Sequence, residues 1–337
     1  MDSITHTVLG ACVGEALGGK KLGKKAMLIG AIANNIPDID VVCSFWMKQP
    51  DSLLAHRGFT HSILFALLIT LAASRVLKNK FINDQFSQQE WRLLIGINLF
   101  LHIIIDSLTV YGTGWFEPFS HFRVAFNMLF IADPFYTISL LVSSIALLIL
   151  KKNSFRRKRW VRFGLIISSV YLLYALVHKI HVDQVVRKSL LDEHADGRNF
   201  ITTPTPLNNF LWYVVADCDS GYNIGYFSVF DHAEKIRFRF VPKNDFLLST
   251  KEKEEDDFKK MIRFAQGYYH LEKESDTLFF NDLRFGQIGG WFDGDAPFVF
   301  QFGLSANADH EVMIQRGRFR ASGKKAFQEM IERIKGI

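Results

Sequence analysis

Apolar side chains run almost without interruption through the first 180 residues, broken by short basic clusters; beyond about residue 181 the runs shorten and polar positions intervene. Four stretches, 59–77, 92–111, 134–150 and 160–180, approach the roughly 20 residues with which a helix crosses a ~30 Å apolar layer. Two earlier ones, 3–18 and 25–36, are shorter and rich in Gly and Ala, a composition that predicts a tightly packed helical hairpin rather than two full crossings. The pattern thus predicts an α-helical polytopic membrane domain over 1–180, with about six membrane segments of which the first two are short. A small α+β soluble domain with an antiparallel sheet is expected over 181–337. There, Pro204, Pro206 and two asparagines mark a linker, 210–216, 222–230, 235–241, 277–285 and 297–303 read as strands, and 254–268 and 322–335 read as helices.

Composition sharpens this division. An apolar fraction of 49% with 32 phenylalanines exceeds what a soluble domain of 337 residues needs. The near-zero mean hydropathy is an average over two unlike halves, the second holding the longest charge run, 251–257. The net charge of +6 arises largely from basic clusters between apolar stretches, where membrane orientation accounts for them, so nucleic acid is not expected as a partner. Cys12, Cys43 and Cys218 are too scattered for a disulfide framework or a thiolate zinc site, and any metal must use nitrogen and oxygen ligands. The start of the chain has no basic stretch before its apolar run and does not resemble a cleaved signal peptide.

The basic clusters also predict sidedness. Lys20, Lys21, Lys24 and Lys25, then Arg75, Lys78 and Lys80, then Lys151, Lys152, Arg156, Arg157, Lys158 and Arg159 belong on the cytoplasmic side. Six segments counted from those anchors put the N-terminus, the loops around 37–58 and 112–133, and everything after about 181 on the opposite side. That assignment gathers His6, Asp38, Asp40, His56, His61, His102 and Asp106 at one non-cytoplasmic end.

These seven are the candidate metal ligands. His102 and Asp106 stand at i and i+4, on one helix face, inside a strongly apolar helix where ionisable groups are costly and face a bundle interior. Asp38 and Asp40 follow Pro37, which ends the preceding helix. His56 and His61 flank a glycine turn beside Arg57, a cation that could hold a phosphate or another anion, and Thr60 could cap the next helix. His6 adds a further imidazole; Glu117, His121 and Asp133 form a second rank. Plainer readings exist for each: a His–Asp pair joining helices, a solvated acidic turn, interfacial histidines with a snorkelling arginine. Convergence on one face favours a site. Seven groups exceed the three or four ligands of one catalytic zinc, so one or two divalent ions are expected, zinc first, with manganese or iron as alternatives. The chemistry is hydrolytic: metal-activated water, a carboxylate of Asp38 or Asp40 as base, and Arg57 steadying an anion.

On these motifs, together with Tyr111-Gly-Thr and Asp133-Pro-Phe, the chain resembles the membrane-bound metal-dependent hydrolases of bacterial inner membranes, some of which carry a LexA-binding description. The resemblance covers about residues 1–180 and implies a multi-pass inner-membrane protein with metal-dependent hydrolase activity. A looser similarity, to zinc-dependent phospholipase C and related single-strand nucleases, would match His102 and Asp106 to their HxxxD helix, with His6, Asp38 and His61 among the other ligands. The chain departs from those enzymes in its unprocessed-looking N-terminus and lipid-embedded helices. The implied substrate is a lipid, a lipid-linked molecule or a phosphoester at the bilayer surface. The rivals are a transporter or ion-handling protein, and a scaffold with a structural metal. No protein partner is legible.

Overall fold

The structure, a computed structural model, describes residues 1–81, 86–192, 199–249, 253–275, 277–304 and 323–336. The chain divides into two compact units. One comprises Met1–Cys43, Ala55–Leu176 and Pro206–Asn208; the other comprises Ser44–Leu54, Val177–Thr205 and Asn209–Ile337.

The first unit is helical. Asp2 caps α1 (Ser3–Leu22) by accepting the Thr5 N–H at 3.0 Å, and Gly23 turns the chain into α2 (Lys24–Asn35). The two form the predicted close hairpin: a Cβ on Gly10 would lie 2.5 Å from the Gly30 carbonyl oxygen. Pro37 follows α2, and the chain continues as a 3₁₀ run, Pro37–Phe45, then passes through α3 (Gln49–Ala55), nearly all of which is counted with the other unit, and returns as a single 3₁₀ turn, Phe59–His61. Ser62 then caps α4 (Ile63–Lys80), so that this helix starts after His61 and not at 59. A Ser87–Glu90 capping box starts α5 (Gln88–Ser107), earlier than the expected 92. Asp133 caps α6 (Pro134–Ile149), and α7 runs Arg156–Asp192, past its expected end at 180.

All six apolar segments are therefore helical, but they are not six equivalent crossings. Among the described residues, α7 alone is long and apolar enough to span a membrane by itself. The count rises to three if each of two bent pairs is one span: α2 with Pro37–Phe45 (53°), and Gln49–His61 with α4 (56°). Leu67, Leu71, Ile138, Ile145, Ile166 and Val170 are exposed on α4, α6 and α7, whereas Asn34, Asn98, His102, Ser143 and Ser144 are buried. Apolar outside and polar inside is the distribution of a protein solvated by lipid. Arg157, expected in a cytoplasmic basic cluster, is buried instead: its guanidinium grips Glu15 of α1 at 2.7 and 2.6 Å and donates to the Leu147 and Leu150 carbonyls. Every strong partner is met, and that offsets the several kcal/mol each buried ion costs.

The second unit holds two antiparallel sheets. The first has order β1 (Phe200–Pro204), β2 (Leu211–Cys218), β3 (Gly221–Ser228), β4 (Arg239–Pro242); the second has order β5 (Tyr269–Glu274), β6 (Thr277–Gln287), β7 (Phe298–Leu304). Helices α8 (Asp256–Phe264) and α9 (Gly323–Ile334) accompany them, α8 shorter than the predicted 254–268. The predicted start of the last helix at 322, and residues 193–198 of the predicted linker, lie outside the described residues. β1 occupies part of that linker, up to Pro204, and β5 was not anticipated. Trp212, Val214 and Ala216 of β2 pack with Val182, Val186 and Leu190 of α7, together with Phe227 and Ile236.

Candidate metal centre

Two bends in the chain and one helix face bring the donors together. Asp38 comes from the 3₁₀ run after Pro37, His61 from the turn before α4, and His102 and Asp106 from successive turns of α5; one donor atom of each lies within 4.8 Å of all the others. His61 Nε2 stands 3.0 Å from His102 Nε2, 3.2 Å from Asp106 Oδ2 and 3.5 Å from Asp38 Oδ1. His102 Nε2 lies 3.5 Å from Asp38 Oδ1 and 3.6 Å from Asp106 Oδ2. Donors held about 2.0–2.1 Å from one tetrahedral ion would be about 3.3 Å apart, so these separations fit a single cation.

The proton positions strengthen the fit. His102 Nδ1 donates to the Asn34 carbonyl, which leaves Nε2 as a lone pair. The Thr60 hydroxyl donates to Asp40 Oδ2 at 2.8 Å and accepts from His61 Nδ1 at 3.0 Å, which frees His61 Nε2 likewise. Two imidazole lone pairs and two carboxylate oxygens thus face one another, and Asp106 Oδ2 is buried without a hydrogen bond. Facing lone pairs repel; a divalent cation between them removes the conflict. His61, His102 and Asp106 are fully buried, and the Asp38 side chain retains 17% exposure, so access lies on its side.

The remaining predicted residues surround this set. His6 does not join the four donors: its Nε2 meets the other Asp106 oxygen at 3.0 Å, its Nδ1 meets Asn34 Oδ1 at 3.2 Å, and its ring stacks on His102. The Met1 amino group also contacts Asp106 Oδ1. Asp40 is a buried hub that accepts from His56 Nδ1 at 2.9 Å, from the Arg57 backbone N–H at 2.9 Å and from Thr60. Asp38, Asp40 and His56 form a second group whose donor atoms lie within 4.8 Å of one another. Arg57 is buried, in the left-handed region at φ 60°, with Nε 3.0 Å from Asp106 Oδ2, Nη1 donating to Thr109, and its guanidinium over the Tyr111 ring. Its charge thus lies against the same Asp106 oxygen that faces His61 and His102.

The second-rank residues are occupied elsewhere. Glu117 accepts from His121 Nδ1 at 2.8 Å, and the His121 side chain is 61% exposed. Asp133 accepts the Phe135 and Tyr136 N–H groups that cap α6, and the Tyr171 hydroxyl. Sequence reasoning missed Asn34 and Asn98, whose side chains link α2 to α5 beside the donors. Their signal was present: a buried amide in an apolar helix, like a buried carboxylate, needs a partner. The chain after α5 is tied back to this region, with the Gly114 N–H donating to the Arg57 carbonyl at 2.9 Å and Thr113 pairing with Val124. Phe116, Phe119, Phe122 and Phe126 are exposed along it.

Helices that expose apolar faces and enclose a histidine–aspartate centre define a membrane protein with a buried polar site. The model of the YdjM inner membrane protein family matches residues 1–182, and the chain belongs to that family. It is 31% identical over 122 residues to the inner membrane protein YbcI of Escherichia coli (strain K12), 36% of this chain and 69% of that one. It is 26% identical over 318 residues to the uncharacterized protein YfhP of Bacillus subtilis (strain 168), 89% of this chain and 90% of that one. No solved structure matches the chain. The family places the protein in the bacterial inner membrane; neither relative's name carries the hydrolase or LexA-binding character that the resemblance implied.

Proposed function

We propose that this protein is a membrane-bound, metal-dependent hydrolase acting on a lipid or lipid-linked substrate, most simply a phosphoester. The observation that carries this reading is the convergence of Asp38, His61, His102 and Asp106 on one cation-sized space with their lone pairs inward. These four would hold the first ion, with zinc favoured over manganese or iron by the mixed nitrogen and oxygen set, and Asp38, Asp40 and His56 would hold a second. Such an ion supplies Lewis-acid polarisation and a water acidified toward neutrality.

The chain's own residues supply the rest. With the first ion alone bound, Asp40 Oδ1 fixes His56 through Nδ1 and leaves Nε2 of this partly exposed imidazole as the proton acceptor, whereas a second ion would take up His56 and Asp40 as ligands. Arg57 holds its charge 3.0 Å from Asp106 Oδ2 and adds positive potential to the site. On this reading the six apolar segments are embedded in the bilayer with the site at the non-cytoplasmic end, and the exposed phenylalanines of 116–126 rest in the lipid interface beside its entrance.

The test is metal analysis of the purified protein alongside His61→Ala and Asp106→Ala, followed by a turnover screen of metal-loaded protein on a lipid extract. Stoichiometric metal in the wild type, lost in both variants, is expected; a metal-free wild type would overturn the proposal. The complete burial of three of the four donors favours one alternative, a scaffold with a structural ion. That alternative predicts tightly held metal and no turnover on any lipid fraction.

A further inference from the structure

A half-open cleft with several basic side chains lies within the sheet-containing unit. It has a volume of about 670 Å³ between Tyr226 of β3, the chain leading into β4, Gln287 at the end of β6, Trp291 beyond it, and Arg333 of α9. Its charge follows from a two-residue period. Lys235, Arg237 and Arg239 line the cleft, while the alternating Ile236 and Phe238 pack into the apolar core behind it.

The cations are not balanced by acids. Asp231 is consumed by Arg333, its two oxygens accepting at 2.6 and 2.8 Å. Arg239 reaches Gln287 Oε1 at 3.4 Å and the exposed Asp295 at 3.3 Å. Among the described residues, Lys235 and Arg237 have no acidic partner, and the buried Trp291 Nε1 donor has no acceptor. Glycines keep the cavity open: a Cβ on Gly290 would sit 2.8 Å from Gln287 Oε1, and one on Gly294 would sit 3.1 Å from Arg239 Nε.

We propose that this cleft is a binding site for a phosphate-bearing ligand, with Lys235 and Arg237 pairing the phosphate oxygens. A lining rich in donors and surplus positive charge calls for a ligand that is all acceptor, as a phosphate is. Alternate residues of extended chain stand roughly 7 Å apart, so the two free cations can flank a diphosphate. The site is separate from the metal centre and does not depend on it.

Titration of the full-length protein in neutral detergent, treated with chelator, tests this with two probes: inorganic pyrophosphate, and short-chain phosphatidic acid in the micelles. Saturable binding of either probe is expected, weakened about tenfold or more in Arg237→Ala, as loss of one charge-assisted hydrogen bond dictates, and further in Lys235→Ala/Arg237→Ala. Binding of pyrophosphate identifies a soluble ligand; binding of phosphatidic acid alone identifies a membrane headgroup. Arg237 is exposed, so its removal leaves the fold intact. No binding of either probe, or equal affinity in wild type and double variant, would overturn the proposal. Binding lost in Arg57→Ala but retained in the double variant would assign the phosphate to the metal centre and overturn it as well.

Discussion

Asp40 receives hydrogen bonds from an imidazole, a backbone amide and a hydroxyl, and lies 3.3 Å from His61 Nδ1. One carboxylate thereby orients two histidines from neighbouring positions of the chain. Asp40→Asn keeps the shape but cannot accept at every position, and loss of such an orienting partner weakens metal binding about 10- to 100-fold. Competition with a calibrated chelator measures this; unchanged affinity would show that Asp40 does not set His61. In the other unit, burial makes the His270 imidazole, whose Nδ1 donates to the Pro242 carbonyl at 2.6 Å, harder to protonate than an exposed histidine. Its folded proton affinity lies below its unfolded one, so the stability it contributes is present above about pH 6.5 and falls as the pH drops below that. His270→Gln should flatten the acid side of the stability profile, and identical slopes would refute the assignment. At this scale the donor residues were legible because ionisable groups in apolar helices are rare. The division of labour between donor and support was not, since it depends on which ring nitrogen faces which neighbour.

At the scale of elements, α1 is held at two places by different means. Near its start His6 meets Asp106, and farther along Glu15 is gripped by Arg157. Glu15→Ala would leave a buried guanidinium with two carbonyls and no counter-ion, a loss of about 3–5 kcal/mol. Glu15→Ala with Arg157→Leu should recover most of it, and thermal unfolding of both variants distinguishes ion pairing from mere packing. Nothing in the local sequence separates Arg157 from its basic neighbours; only the approach of α1 to the start of α7 selects it. The helices were legible from apolar run length, and their ends were fixed by Ser62, Ser87 and Asp133, whose capping role depends on backbone geometry. β5 escaped notice because its alternation is carried by Tyr269 and Leu271 alone before the chain turns wholly polar at Glu272, too short a run beside the helix predicted to end at 268. β2, buried along nearly its whole length, was legible all the same, because an unbroken apolar run as short as 210–216 suits a buried strand better than a helix.

At the scale of the whole molecule, the family match ends at residue 182, beyond every candidate donor and before the first strand. Every candidate donor therefore falls inside the matched region and the sheets lie beyond it, while the Bacillus subtilis relative matches 89% of the whole chain. The last helix closes that extension: Arg333 joins Asp231, and the Ser228 hydroxyl donates to the Ile334 carbonyl at 2.6 Å. Arg333→Ala leaves the buried Asp231 carboxylate without its cation and should cost about 2–3 kcal/mol. Hydrogen exchange along β3 reports it, and unaltered protection there would show that α9 is not a structural closure.

The glycine contact between α1 and α2 has a consequence for the groups behind the donors. With Gly10 against Gly30, no side chain cushions the two backbones that bring His6 to Asp106 and the Asn34 carbonyl to His102. A side chain at either glycine would have to push main chain from main chain, and would carry these partners away from two buried ionisable groups of α5. Two residues with no side chain thus set where the partners of others stand.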